Sequence, residues 1–133
     1  MSAVVDSTQR RRAVDPTASF CVSAPAGSGK TELLIQRYLA LLARVSRPEQ
    51  ILAITFTRKA AGEMRERLLQ ALRGARNDEP CVGEHEQVTR DLALAALAAA
   101  ERGNWQLLHH VSRLNIKTID GYCLSLTRQM PVL

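Results

Sequence analysis

APAGSGKT, residues 24–31, is the stretch on which the reading of this chain turns. FCVSA (20–24) runs into it as a short apolar strand, and TELLIQRYLALL (31–42) leaves it as a helix. A Gly-rich turn between strand and helix gathers backbone N–H groups and the positive end of the helix dipole at one point, which suits a phosphate. Gly27 and Gly29 allow that path without a Cβ clash. In such a loop Lys30 reaches the β- and γ-phosphates and the Thr31 hydroxyl holds Mg²⁺. The expected nucleotide-binding set is Ala24, Pro25, Ala26, Gly27, Ser28, Gly29, Lys30 and Thr31, with Ala24 where the strict pattern has Gly.

Outward from the loop, Asp6 or Ser7 is expected to cap a short helix through Arg12, ended by Asp15-Pro16. Beyond it, Leu33, Leu34, Tyr38, Leu41 and Leu42 recur at helical steps through about Arg44. ILAITF (51–56) reads as a second strand. A second helix follows with Ala61, Met64, Leu68 and Leu72 on one face. GARNDEPCVG (74–83) is loop by composition, and 87–101 an Ala-rich helix capped by the acidic residues before it. Gly103 ends that helix, a short helix is expected around 105–110, and IKTI (116–119) reads as a third strand before a helix over 121–129. Strands separated by helices imply an α/β fold with a parallel sheet and right-handed crossovers, with a small helical insertion at about 75–113.

The chain has 133 residues, enough for one domain with a core, and its 46% apolar and 23% charged residues are ordinary for a soluble protein. No apolar run reaches the roughly 18 residues of a membrane span, and Arg10-Arg11-Arg12 is not followed by a secretory h-region. Cys21, Cys81 and Cys123 lack metal-ligand spacing and read as reduced thiols of a cytoplasmic protein. His109-His110 diverge on a helix without a matching Cys or acid, so they read as exposed histidines rather than ligands. Of the net +5, residues 58–76 carry six basic against two acidic groups, and 77–101 one basic against six acidic. A polyanion is drawn to the first segment and repelled by the second, although solvated helix faces would give the same pattern.

AITFTRKAAGEMRERL (53–68) resembles the segment after the second strand in UvrD/Rep-type superfamily-one DNA helicases, with Thr55-Phe56-Thr57-Arg58-Lys59-Ala60-Ala61-Gly62-Glu63-Met64 nearly unchanged. Gln9 matches the glutamine with which that family reads adenine, and KTIDGYC (117–123) resembles its segment on the third strand. The matches run in order over residues 9–123. The acidic, Ala-rich spacer and LTRQMPVL at the end are most similar to the RecB/AddA branch, the exonuclease V beta-like helicase–nuclease proteins.

The resemblance implies a RecA-like P-loop NTPase core over residues 1–133, an incomplete domain forming the N-terminal ATP-binding part of an ATP-dependent DNA helicase in recombination or double-strand-break repair. It implies ATP and Mg²⁺ as cofactors, single-stranded DNA as partner, a second RecA-like domain, and a helicase–nuclease partner subunit. An amide can donate to adenine N7 and accept from N6-H₂, as Gln9 would do. Thr55, Thr57, Arg58 and Lys59 lie at the C-terminal end of a strand, where open α/β sheets bind ligands, and suit contacts to a DNA backbone. Thr118 and Tyr122 are the contact candidates of the third segment, although Tyr122 fits a half-buried ring equally well. Asp120 stands where many relatives have His and is expected to accept from N–H groups or a base edge. Phe56 continues the alternation of ILAITF and is expected in the core rather than stacked on a base.

The family's Asp-Glu-x-x-Asp signature and its arginine finger are absent here, since Asp78-Glu79 follows a polar loop. The fragment is therefore expected to bind nucleotide weakly and hydrolyse it poorly. A small-molecule or nucleoside kinase, or a non-catalytic DNA-binding module derived from a helicase, would share the phosphate loop. The kinase leaves TFTRKAAGEM without a role. The module predicts DNA binding indifferent to ATP and to Lys30. Lys30→Ala is expected to abolish binding of a Mg-ATP analogue by calorimetry while leaving the thermal melt in place; unchanged affinity overturns the phosphate-loop assignment.

Overall fold

Three helices with apolar stripes at helical spacing cannot leave those stripes in water, and they meet in one core. The computed structural model describes residues 2–23 and 29–129, with side chains from residue 8 onward. The elements are α1 (Ser2–Val14), α2 (Lys30–Leu42), β1 (Leu52–Thr55), α3 (Arg58–Arg76), α4 (Glu84–Gly103), β2 (Asn115–Thr118) and α5 (Ile119–Gln129), with 3-10 turns at Pro48–Gln50 and Val111–Arg113. The centre holds Ile35, Tyr38, Leu39 and Leu42 of α2 against Leu68, Leu69 and Leu72 of α3.

Helix α4 is the third wall. Its Ala93, Ala96, Ala99 and Ala100 are buried, and it packs on both α2 and α3. Small side chains let the backbones approach closely, and enlarging one would cost about 1–3 kcal/mol through overpacking. A polar chain fastens the same contact: Gln36 Nε2 donates to Thr89 Oγ1 (3.1 Å), and Thr89 donates to Glu32 Oε1 (2.7 Å). Gln36 is 4% exposed, so this partner supplies what burial removed. The end of α4 is locked as well. Asn104 turns left-handed (φ 52), and the Trp105 N–H bonds back to Ala100 O at 2.9 Å. The buried indole donates to Ser46 O at 3.0 Å, and any side chain at position 103 would collide with it.

β1 and β2 pair in parallel, Leu52 opposite Asn115 and Thr55 opposite Thr118. At their entry Arg113 forks onto Glu49 (3.0 and 3.1 Å) and donates to Trp105 O at 2.8 Å. The Arg113 hydrogen bond holds the Glu49 carboxyl below its ordinary range, so this link strengthens folding above that range and weakens as the carboxyl protonates.

The local expectations need several corrections. Residues 20–23 form no strand; Phe20 and Val22 are exposed, and Ala24 lies outside the described residues. A strand requires a neighbour for its N–H and C=O groups, and the described sheet has only β1 and β2. Helix α1 already runs from Ser2, so Asp6 and Ser7 lie within it rather than capping it. Helix α3 continues past Gly74 to Arg76, because Leu72 and Ala75 still have core to cover. Residues 105–110 make turns rather than a helix. Gly83 precedes α4 without a side-chain cap, and the Glu86 carboxylate instead reaches back to accept from the Val82 N–H at 2.7 Å.

Phe56 is the clearest reversal, at 88% exposed. It shares the strand's two-residue phase with Leu52 and Ile54, both exposed, while Ala53 points towards the core. The alternation holds, and the core lies on its other face. Phe56→Ala should therefore move unfolding stability by no more than about 0.5 kcal/mol, against the ~3–5 kcal/mol of a core Phe.

Among the described residues the buried Tyr38 hydroxyl makes no hydrogen bond of good geometry. Burial pushes its pKa up to about 12, outweighing the Asn115 backbone and the Arg65 charge, which pull it down. Ionisation of the unfolded tyrosine near its ordinary 10.0 then draws stability away as pH rises towards about 12. Tyr38→Phe should keep or raise denaturant stability, by about 0–1 kcal/mol at neutral pH, and should remove that alkaline loss. A Phe variant less stable by more than about 1 kcal/mol would mean the hydroxyl is satisfied in solution.

Candidate functional site

Asp15-Pro16 stops α1, and the chain returns along the start of α2. Between them lies a cleft of about 370 Å³, lined by Gln9, Arg10, Arg12 and Ala13 of α1, residues 20–23, and Lys30 and Leu33 of α2. Small-molecule sites typically begin at about 300 Å³. Gln9 and Lys30, twenty-one positions apart in sequence, thus face one space. Residues 24–28, which carry Ala24, Pro25, Ala26, Gly27 and Ser28 of the expected set, lie outside the described residues.

Gly29 precedes α2 with φ 87 and ψ 24. A Cβ there would be strained and would also come within 2.9 Å of an Arg10 guanidinium nitrogen. Arg10 donates to Gly29 O at 3.3 Å, tying α1 to the foot of the loop. Lys30 and Thr31 are the first two residues of α2, both exposed, where N–H groups and dipole favour an anion.

Arg37, further along α2, holds the cleft's outer wall. Its Nη1 donates to Ala13 O (2.8 Å) and Asp15 O (2.9 Å), its Nη2 to Ala18 O (2.8 Å), and its guanidinium lies 5.5 Å from the centre of the Phe20 ring. Asp15 accepts from the Thr17 hydroxyl (2.7 Å) and N–H (2.9 Å), bonds that draw its pKa below the ordinary carboxylate value and set the bend. The sequence reading missed Arg37 and Arg10. The available signal for Arg37 was a cation inside an otherwise apolar helical run.

A second arrangement lies at the C-terminal edge of β1 and β2. Thr57 caps α3 by accepting from the Ala60 N–H at 3.0 Å, and Thr118 accepts from the Gly121 N–H at 3.0 Å at the start of α5. Two helix N-termini therefore open on one sheet edge. Arg58 and Lys59 are exposed in the first turn of α3, and Phe56 projects beside them in sequence. The Thr55 hydroxyl turns inward to Thr57 O (3.1 Å) and Lys117 O (3.4 Å). Tyr122 is half-buried, Asp120 is exposed in the first turn of α5, and His109 and His110 are exposed. Among the described residues no His, Cys, Asp or Glu cluster could hold a metal, and no helix is long and apolar enough to cross a membrane.

Comparison with known proteins bears on this geometry. The UvrD/REP helicase N-terminal domain model matches residues 5–132. Among curated proteins the chain is similar to the A subunit of the ATP-dependent helicase/nuclease of Desulforamulus reducens, 34% identical over 84% of the chain and 8% of that protein. The same-named protein of Levilactobacillus brevis is 36% identical over 84% of the chain and 8% of its length. That of Lactobacillus johnsonii is 37% identical over 81% of the chain and 7% of its length. The chain thus spans less than a tenth of these relatives. No solved structure matches. Mixed helices around a small parallel sheet are consistent with the matched domain, and the chain belongs to the UvrD/REP helicase N-terminal domain family.

Proposed function

We propose that the chain is the ATP-binding part of an ATP-dependent DNA helicase or translocase working on single-stranded DNA, in recombination or double-strand-break repair in the cytoplasm. The observation that carries this reading is the shared cleft of Gln9 and Lys30, at the start of the helix that follows the Gly-rich loop. The rest of the reading is a RecA-like P-loop core over residues 1–133, with the helical insertion at about 75–113. The helicase/nuclease names of the relatives support the helicase–nuclease branch.

Each residue then has a physical task. The Lys30 ammonium would neutralise the β- and γ-phosphates, and the N–H groups at the start of α2 would add to the attraction. The Thr31 hydroxyl, at the second helical position, would hold Mg²⁺, which would screen phosphate charge there. The Gln9 amide selects adenine from the opposite wall of the cleft. The carboxylate that positions water and the cation that closes on the γ-phosphate would come from the remainder of the helicase, its second RecA-like domain included.

The sheet edge is the DNA side. Capping occupies lone pairs of Thr57 and Thr118 and leaves each O–H able to donate to a phosphate, while Arg58 and Lys59 supply charge beside two helix N-termini. Thr55, turned to carbonyls, would shape the edge rather than touch the strand. Phe56, exposed, offers a face for base stacking, and Tyr122 a half-buried one.

A labelled single-stranded oligonucleotide titrated into the chain, with and without a Mg-ATP analogue at two salt concentrations, tests the reading. Binding should weaken as salt rises and should shift with nucleotide. DNA affinity indifferent to nucleotide, or no nucleotide binding, would overturn it.

A further inference from the structure

Helix α1 carries Gln9, and its described side chains, residues 8–14, have little apolar grip on the rest of the molecule. Of its described side chains only Ala13 is buried, and Thr8, Gln9, Arg11 and Arg12 are exposed. The Arg11–Glu84 pair (3.7 Å) is between exposed side chains and contributes little. A helix so attached would open readily unless polar anchors held it. The Arg37 guanidinium is such an anchor, because it takes three carbonyls from the end of α1 and the bend after it, Ala13, Asp15 and Ala18, and also meets the Phe20 ring. Ala13 and Phe20 themselves line the cleft. One side chain therefore grips both segments of the wall opposite Lys30. The carbonyls at the end of a helix are unsatisfied and carry negative partial charge, which a cation in fork geometry answers better than an ammonium can.

We infer that Arg37 is a positioning residue for base selection: by clamping the Ala13, Asp15 and Ala18 carbonyls and the Phe20 ring it fixes the α1 wall so that Gln9 faces the base. This rests on the nucleotide-binding reading above, and it separates two functions of the cleft. The phosphate side, Lys30 and Thr31, belongs to α2 itself. The base side belongs to α1 and is held through the clamp and the Arg10 contact to Gly29.

The test compares the wild-type chain with Arg37→Ala, Arg37→Lys, Gln9→Ala and the Gln9→Ala/Arg37→Ala double variant. Each is titrated with an ATP analogue, the matching GTP analogue and inorganic tripolyphosphate, all with Mg²⁺. Arg37→Ala should lower the ATP-over-GTP preference by up to about tenfold, the scale of one lost hydrogen bond, with tripolyphosphate affinity within about twofold of wild type. Arg37→Lys should fall between. The double variant should be no less selective than Gln9→Ala alone, since both changes remove the same contact. If Arg37→Ala does not fold, Arg37→Lys carries the test by the same split between base preference and tripolyphosphate affinity.

Unaltered base preference in Arg37→Lys and Arg37→Ala overturns the inference. So does an equal loss of tripolyphosphate binding, which would mark Arg37 as a purely structural support. A wild-type chain that binds tripolyphosphate without base preference also overturns it, while leaving the phosphate loop standing. A wild-type chain that binds neither tripolyphosphate nor ATP removes the parent reading, and the inference with it.

Discussion

Close approach of α4 to α2 and α3 is the constraint on which the remaining architecture rests. Ala93, Ala96, Ala99 and Ala100 form a face with almost no side-chain depth, so Leu39, Leu42, Leu68 and Leu72 can fill the space between three helices. Everything else hangs from that packing. The Gln36–Thr89–Glu32 chain closes its polar flank, and Trp105 seals the end of α4 against Ser46. With α2 and α3 fixed in this way, the starts of both helices are fixed too, and each start borders a candidate site.

The two sites use the same physics in different forms. At the start of α2 a left-handed Gly29 leads into a helix whose first residues are Lys30 and Thr31. At the sheet edge, Thr57 and Thr118 cap two helices that begin directly after paired strands. Exposed N–H groups, helix dipoles and cations favour anions in both places. The difference lies in enclosure. The first place is a cleft walled by α1 and the second an open sheet edge; on the proposed reading the one would take a nucleotide and the other a polymer. Charge supports the division: α3 is rich in basic residues, and the following segment through α4 is acidic. On the function proposed above, this pattern would draw a polyanion towards α3 and keep it from the acidic segment that follows.

Sequence alone determined the local events whose causes are local. A Gly-rich stretch ending on Lys-Thr starts a helix at Lys30, Asp15-Pro16 stops α1, and a helix begins where the apolar run of residues 51–56 ends. A parallel sheet with strands near 51–56 and 116–119 was legible because apolar runs separated by helices favour parallel crossovers; that these two pair directly, with no strand at 20–23, was not. Family membership was legible for a related reason: motifs in fixed order constrain one another more than any one of them does.

Tertiary structure decided whatever depends on which surface a segment meets. Alternation in residues 51–56 gives two faces without saying which is inside, and packing by α3 put Ala53 inward and Phe56 in solvent. Residues 20–23 have strand composition, yet composition supplies no partner for their backbone groups. Gly74 looks like a helix stop until Leu72 and Ala75 find core to cover. Arg37 reads as a solvated cation until the end of α1 folds back and presents three carbonyls to it. A short window fixes φ and ψ preferences and capping, because their energies arise between near neighbours. It cannot fix burial or long-range hydrogen bonds, because the partners arrive from elsewhere in the chain.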